Sequence, residues 1–115
     1  MRPTTTPRVI IRHCPRYDAQ RIRELVREGI AELRLRPFGR VLVKPNLVAA
    51  GQLFPHAYTR PEVVEGVLRA LQDTGGDEID ELAVGERSGI TIPTRLTMKE
   101  SGLGETLERL EGVKT

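Results

Sequence analysis

A layered α/β fold with a mostly parallel sheet is predicted by three features of this chain. Short aliphatic or β-branched runs lie at residues 8–14, 40–43 and 78–85, stretches of helical period separate them, and glycine or proline marks each changeover. The order β-α-β-α-β-α implies parallel neighbours joined by right-handed crossovers, a Rossmann-like arrangement of three layers. A single domain over residues 8–115 is expected behind a disordered arm at 1–7, which holds two prolines and three threonines. Three strands are few, so the sheet is expected to be a truncated one or one completed by another chain.

The first strand is expected at residues 8–14, with Val9, Ile10 and Ile11 at its centre and Pro15 ending it. Asp18 is the expected N-cap of the next helix, whose buried face is Ile22, Leu25, Val26, Gly29, Ile30 and Leu33. About five turns are predicted, ending near Pro37, Phe38 and Gly39. Residues 40–43 read as a central strand, because a continuous apolar run suits a sheet covered on both faces. The stretch 47–56 has no period and is expected to be a loop, long enough to suggest function.

Thr59-Arg60-Pro61-Glu62 fits a capping box with proline in the first turn. Val63, Val64, Val67, Leu68 and Leu71 then form the buried stripe, and Thr74-Gly75-Gly76 the stop. Residues 78–85 are the third strand, followed by a polar loop to about Thr94. An interrupted helix comes next, with Leu96 and Met98 before a break at Ser101 and Gly102, and Leu103, Leu107 and Leu110 after it. Val113 is placed to open a further strand.

Composition narrows the function classes. The chain has 30% charged and only 3% aromatic residues, so its core is aliphatic. Its net charge of +2 comes from arginines interleaved with glutamates along helical faces. Neither a basic stripe nor a set of stacking aromatics is present, which argues against nucleic-acid binding. Cys14 is the single cysteine, so this chain alone holds no disulfide and no iron–sulfur cluster. No apolar run is long enough to span a membrane, and a cytoplasmic protein is expected.

Ligands of open parallel sheets bind beyond the carboxyl ends of the strands. That rule gathers His13 and Cys14, Lys44 and Asn46, Glu86 and Ser88, and Thr59 with Arg60 at a helix start. Lys44, Asn46, Thr59, Arg60, Glu86 and Ser88 are the candidate ligand-binding residues, with an anionic small molecule or phosphate-containing cofactor as the ligand. Lys44 and Glu86 are the candidate catalytic pair, the glutamate orienting the lysine or serving as a base. The bland alternatives are a turn at Pro45 and Asn46 and a solvated turn at 85–89. His13 and Cys14, neighbours on a strand, point to opposite faces, so with His56 they are not expected to bind a metal. The chain contains neither a dinucleotide fingerprint nor a Walker loop.

Four blocks carry a family resemblance. They are Val41-Leu42-Val43-Lys44-Pro45-Asn46-Leu47-Val48, Thr59-Arg60-Pro61-Glu62-Val63-Val64, Ala83-Val84-Gly85-Glu86-Arg87-Ser88-Gly89 and Glu100-Ser101-Gly102-Leu103. In order and spacing, from about Val9 to Val113, they resemble the N-terminal part of the family catalogued as domain of unknown function 362. Members are commonly longer, and many carry a cysteine-rich ferredoxin-like segment that holds iron–sulfur clusters. The resemblance therefore implies a truncated or split member without that segment. It leaves as the alternative to ligand binding an assembly module, a homo-oligomer, or an accessory subunit of an iron–sulfur redox protein. Thr59-Arg60-Pro61 also resembles, more faintly, the Thr-Arg-Pro element of the lactate racemase family, whose N-terminal domain contributes to a nickel-pincer nucleotide and substrate site. That likeness implies contacts from Thr59 and Arg60 to phosphate or carboxylate oxygens. The racemase's catalytic histidines have no counterpart here, so racemisation is not carried over.

Overall fold

The computed structural model describes residues 6–87 and 93–115. Helix α1 (Ala19–Glu32) begins where Asp18 accepts hydrogen bonds from the amides of Gln20 and Arg21. Its apolar face runs to the C-cap Leu33, and it ends before the stop predicted near Pro37, Phe38 and Gly39. Arg34 turns left-handed at φ 57°, and the amides of Arg34 and Leu35 close back on the carbonyls of Ala31 and Ile30. That pattern is a Schellman stop, with arginine at the place glycine usually takes.

Strand β1 (Gly39–Val43) leads through a long connection to α2 (Pro61–Gly75), then to a short 3-10 turn and β2 (Ile79–Val84). Helices α3 (Thr94–Glu100) and α4 (Leu103–Arg109) follow, and β3 (Val113–Lys114) closes the described chain. Proline at the start of α2, Gly76 at its end and Gly102 between α3 and α4, with φ of 78°, stand where the sequence predicts the breaks. All pairing in the sheet is parallel, in the order β1-β2-β3. The fold class is α/β, as expected.

One face of the sheet carries the core. Val64 and Leu68 of α2, Leu82 and Val84 of β2, and Leu103, Leu107 and Leu110 at α4 pack together, with Val41, Val43 and Val113 against them. Among the described residues the opposite face is open. Leu42 is 63% exposed there, and Arg40, Glu81 and Lys114 make a charged ladder across the three strands. Two expectations for β1 are therefore corrected. It is an edge strand among the described residues, and its apolar run alternates between core and solvent instead of being covered twice.

The expected strand at residues 8–14 is also corrected. The segment is neither helix nor strand and bonds to no strand of the sheet. β-branched composition favours an extended chain, but a strand exists only where a neighbour accepts its ladder. Here the segment is held by side chains instead: Arg8 donates to the carbonyl of Glu32 at 2.9 Å and Arg12 to the Glu32 carboxylate at 2.7 Å.

Helix α1 packs on α2, where Gly66 lets Ile22 and the Ala19 carbonyl approach closely. A two-pronged ion pair joins them, Arg23 Nε and Nη2 each lying 2.6 Å from an Asp73 oxygen. The Arg23 hydrogen bonds, opposed by desolvation and reinforced by the charges of Arg23, Arg27 and Arg69, hold the Asp73 carboxyl below its usual value. A carboxyl whose folded pKa is depressed stabilises the protein above its unfolded pKa, and that stabilisation is lost as pH falls through the folded value. In urea unfolding, Asp73→Asn is accordingly expected to be less stable than the parent at neutral pH. The gap should close as pH falls from the unfolded carboxyl value, about 3.9, through the lowered folded value. A gap that stays constant with pH would show that the pair contributes nothing.

Candidate functional site

The site is built where β1 and β2 end. The chain leaves β1 through Lys44, buried Pro45 and Asn46, then returns at Tyr58 to form an antiparallel bridge with Leu47. Leu47, Ala49 and Ala50 are buried, and Val48 and Ala49 both donate to the Ala57 carbonyl. The stretch expected to be a loop is one, an excursion closed on itself by these bonds and anchored by buried side chains.

This closure sets what Thr59 does. Its amide donates to the Asn46 carbonyl at 2.7 Å, and its hydroxyl accepts from the Asn46 amide at 2.9 Å. The hydroxyl is therefore not capping α2. The N-cap is Arg60, without a side-chain cap bond, and one carboxylate oxygen of Glu62 is buried without a partner. The predicted capping box is corrected: a long-range bond to the exit of β1 has taken the group that a local cap would have used.

Lys44 and Glu86 meet as the carboxyl-edge rule predicts. The Lys44 ammonium lies 2.5 Å from Glu86 Oε2, while Oε1 accepts from the Arg87 amide at 2.7 Å. The glutamate side chain is only 10% exposed and the lysine 69%. The Lys44 hydrogen bond, then the Arg87 amide, hold the Glu86 carboxyl below its ordinary value against the cost of desolvation. It stays ionised at neutral pH, so it accepts hydrogen bonds and aligns the lysine. A general base is most effective with a pKa near the working pH, which this carboxylate moves away from.

Arg60 turns toward two tyrosines. Its guanidinium sits 4.9 Å from the centre of the Tyr17 ring and 5.9 Å from that of Tyr58, and Nη1 donates to the Tyr58 hydroxyl at 2.9 Å. The Tyr58 bond raises the arginine pKa first among several causes, so the charge is permanent. Its Nε is buried with no partner. The candidate residues thus form three joined contacts: Lys44 with Glu86, Asn46 with Thr59, and Arg60 with its tyrosines. Asn46 and Thr59 connect the first to the third through the chain. Ser88 lies outside the described residues.

The two tyrosines were missed by sequence reasoning. The signal was present, since both Tyr residues of the chain flank the predicted edge, one beside Asp18 and one beside Thr59. Cys14 donates to the Arg16 carbonyl, and His13 and His56 are exposed. Among the described residues no group of three or more His, Cys, Asp or Glu is arranged to hold a metal ion, and no helix is long and apolar enough to cross a membrane.

Fold and edge together define an α/β domain whose polar side chains converge past the ends of two parallel strands. The chain belongs to the family described as Domain of unknown function (DUF362), whose model matches residues 41–115. The match starts within β1, at Val41, takes in the excursion, α2, β2 and everything after them, and begins later than the resemblance from about Val9 suggested. No curated protein and no solved structure matches the chain. The likeness to lactate racemases is not shown by these comparisons.

Proposed function

We propose that the carboxyl edge of β1 and β2 binds a small anionic ligand through a phosphate or carboxylate group. The observation that carries this reading is the Lys44 and Glu86 pair. The glutamate side chain is largely buried and its carboxylate is fixed from two sides, whereas the lysine that it aligns is exposed. An ammonium has three donors, and one is taken by Glu86, which leaves two for incoming oxygens. The first turn of α2 supports the same reading, because its N-cap provides no side-chain bond and the positive end of the helix dipole favours negative charge. Glu62 in that turn offsets part of the field, and Arg60 adds the planar fork that oxygen pairs prefer. Asn46 and Thr59 form the wall between the two cations.

A thermal-shift screen of inorganic phosphate, nucleotides and small carboxylates tests this on the parent, Lys44→Ala and Arg60→Ala. A stabilising compound is expected to lose about tenfold to a hundredfold in affinity for Lys44→Ala, as for loss of a charged hydrogen bond. Equal stabilisation of all three proteins by every compound would sink the site.

A further inference from the structure

We infer that the groove along helix α1 binds a long-chain aliphatic carboxylate, at a site separate from the strand edge. Helix α1 buries none of its residues, although Ile22, Val26 and Ile30 fall on one stripe. That stripe is one wall of a groove of about 710 Å³, which runs from Ile22 to Leu33, about 17 Å at the rise of an α-helix. The segment before α1 supplies the other wall through Ile10 and Pro15, and the bonds of Arg8 and Arg12 to Glu32 tie it to the helix. Small-molecule sites have volumes of about 300–1,000 Å³ and mostly apolar linings, in which a few polar groups fix the orientation of the ligand. This groove has that size and that make-up.

Two observations say what fills it. The first is charge. Among the described residues the lining includes two arginines and no carboxylate. Arg12 is neutralised by Glu32 at 2.7 Å, whereas the exposed Arg16 side chain makes no ion pair with a described residue. An unpaired guanidinium beside an aliphatic groove matches a carboxylate head on an aliphatic tail, since its planar fork suits two oxygens. The second is Gly29, which lies inside α1 although glycine is the poorest helix former except proline. No turn requires it, because its φ is not positive, and no neighbour requires it, because an added Cβ would meet no atom within 4 Å. What the missing side chain does provide is room in the groove that Gly29 lines.

Isothermal titration with octanoate, decanoate and dodecanoate, each below its micelle threshold, tests this. Affinity is expected to rise about fourfold for each added methylene, as for burial of that group in an apolar site. Arg16→Ala should lose about tenfold in affinity for decanoate and nothing for decanol, which lacks the charge. Gly29→Leu should lose at least about tenfold for both ligands, because the new side chain occupies the groove. It should unfold at no lower temperature than the parent, since leucine is the better helix former and its Cβ meets nothing, so the loss would be of room and not of structure. Lys44→Ala should bind dodecanoate as the parent does. Affinity that does not grow with chain length would overturn the site, as would Arg16→Ala or Gly29→Leu binding decanoate as tightly as the parent. Loss of binding in Lys44→Ala would place the carboxylate at the strand edge, and a parent dimer in light scattering that Gly29→Leu dissociates would assign the groove to a second copy. Either result would overturn it equally.

Discussion

Leu68→Ala is expected to lower unfolding stability by about 2–5 kcal/mol, the range for emptying a fully buried leucine site. Leu68 has no exposed surface and belongs to the cluster that joins α2, β2 and α4. The cost has two parts, lost transfer of the side chain from water and a cavity that its neighbours only partly fill. The neighbours here come from three elements, and a backbone shift that filled the gap for one would open it for another. Domains of this size are stable by about 5–15 kcal/mol, so the substitution removes a large share. Leu53, 86% exposed on the excursion, supplies the contrast, and Leu53→Ala should stay within about 0.5 kcal/mol. Urea unfolding followed by circular dichroism measures both. A Leu68→Ala loss below about 1 kcal/mol would mean that the cluster is not the core.

The same cluster explains why much of the fold was legible. Periodic leucines and valines name their own buried face, and Asp18, Gly76 and Gly102 act within a turn of where they stand, so local chemistry decides them. What was misread depends on partners distant in sequence. Val9, Ile10 and Ile11 have the composition of a strand, but composition does not say whether an edge receives them. Val41, Leu42 and Val43 form an apolar run whose middle residue faces solvent, because coverage of a second face is a property of the assembly and not of the run. Thr59 had a local partner to cap and a distant one at Asn46, and closure of the excursion favoured the distant one. The site followed the same division. Lys44 and Glu86, 42 positions apart, were paired by the rule that parallel strand ends converge. Tyr17 became a neighbour of Arg60 only through the packing of α1 on α2.

That packing is tested by Gly66→Ala, where two effects oppose each other. In an isolated helix, replacing glycine with alanine is favourable by about 1 kcal/mol. In this helix the new Cβ would lie 2.6 Å from Ile22 Cγ2, 2.8 Å from Ile22 Cβ and 2.9 Å from the Ala19 carbonyl oxygen. The contact with Ile22 Cγ2 could be relieved by rotating that side chain, but Ile22 Cβ and the Ala19 carbonyl are fixed to the backbone of α1 and move only with the helix. Overpacking of this kind costs about 1–3 kcal/mol, so the net effect is expected to be destabilising despite the gain in propensity. Ile22→Ala in the same chain should recover part of the loss, leaving the pair less destabilised than the sum of the single changes. The displacement should also reach the proposed ligand site, because Tyr17 lies two residues before Ala19 and stacks on Arg60. Separation of α1 from α2 would carry the ring away from the guanidinium, and the Tyr17 ring resonances should shift in Gly66→Ala but much less in Leu53→Ala. A stabilised Gly66→Ala would mean that the close approach of the helices relaxes at no cost.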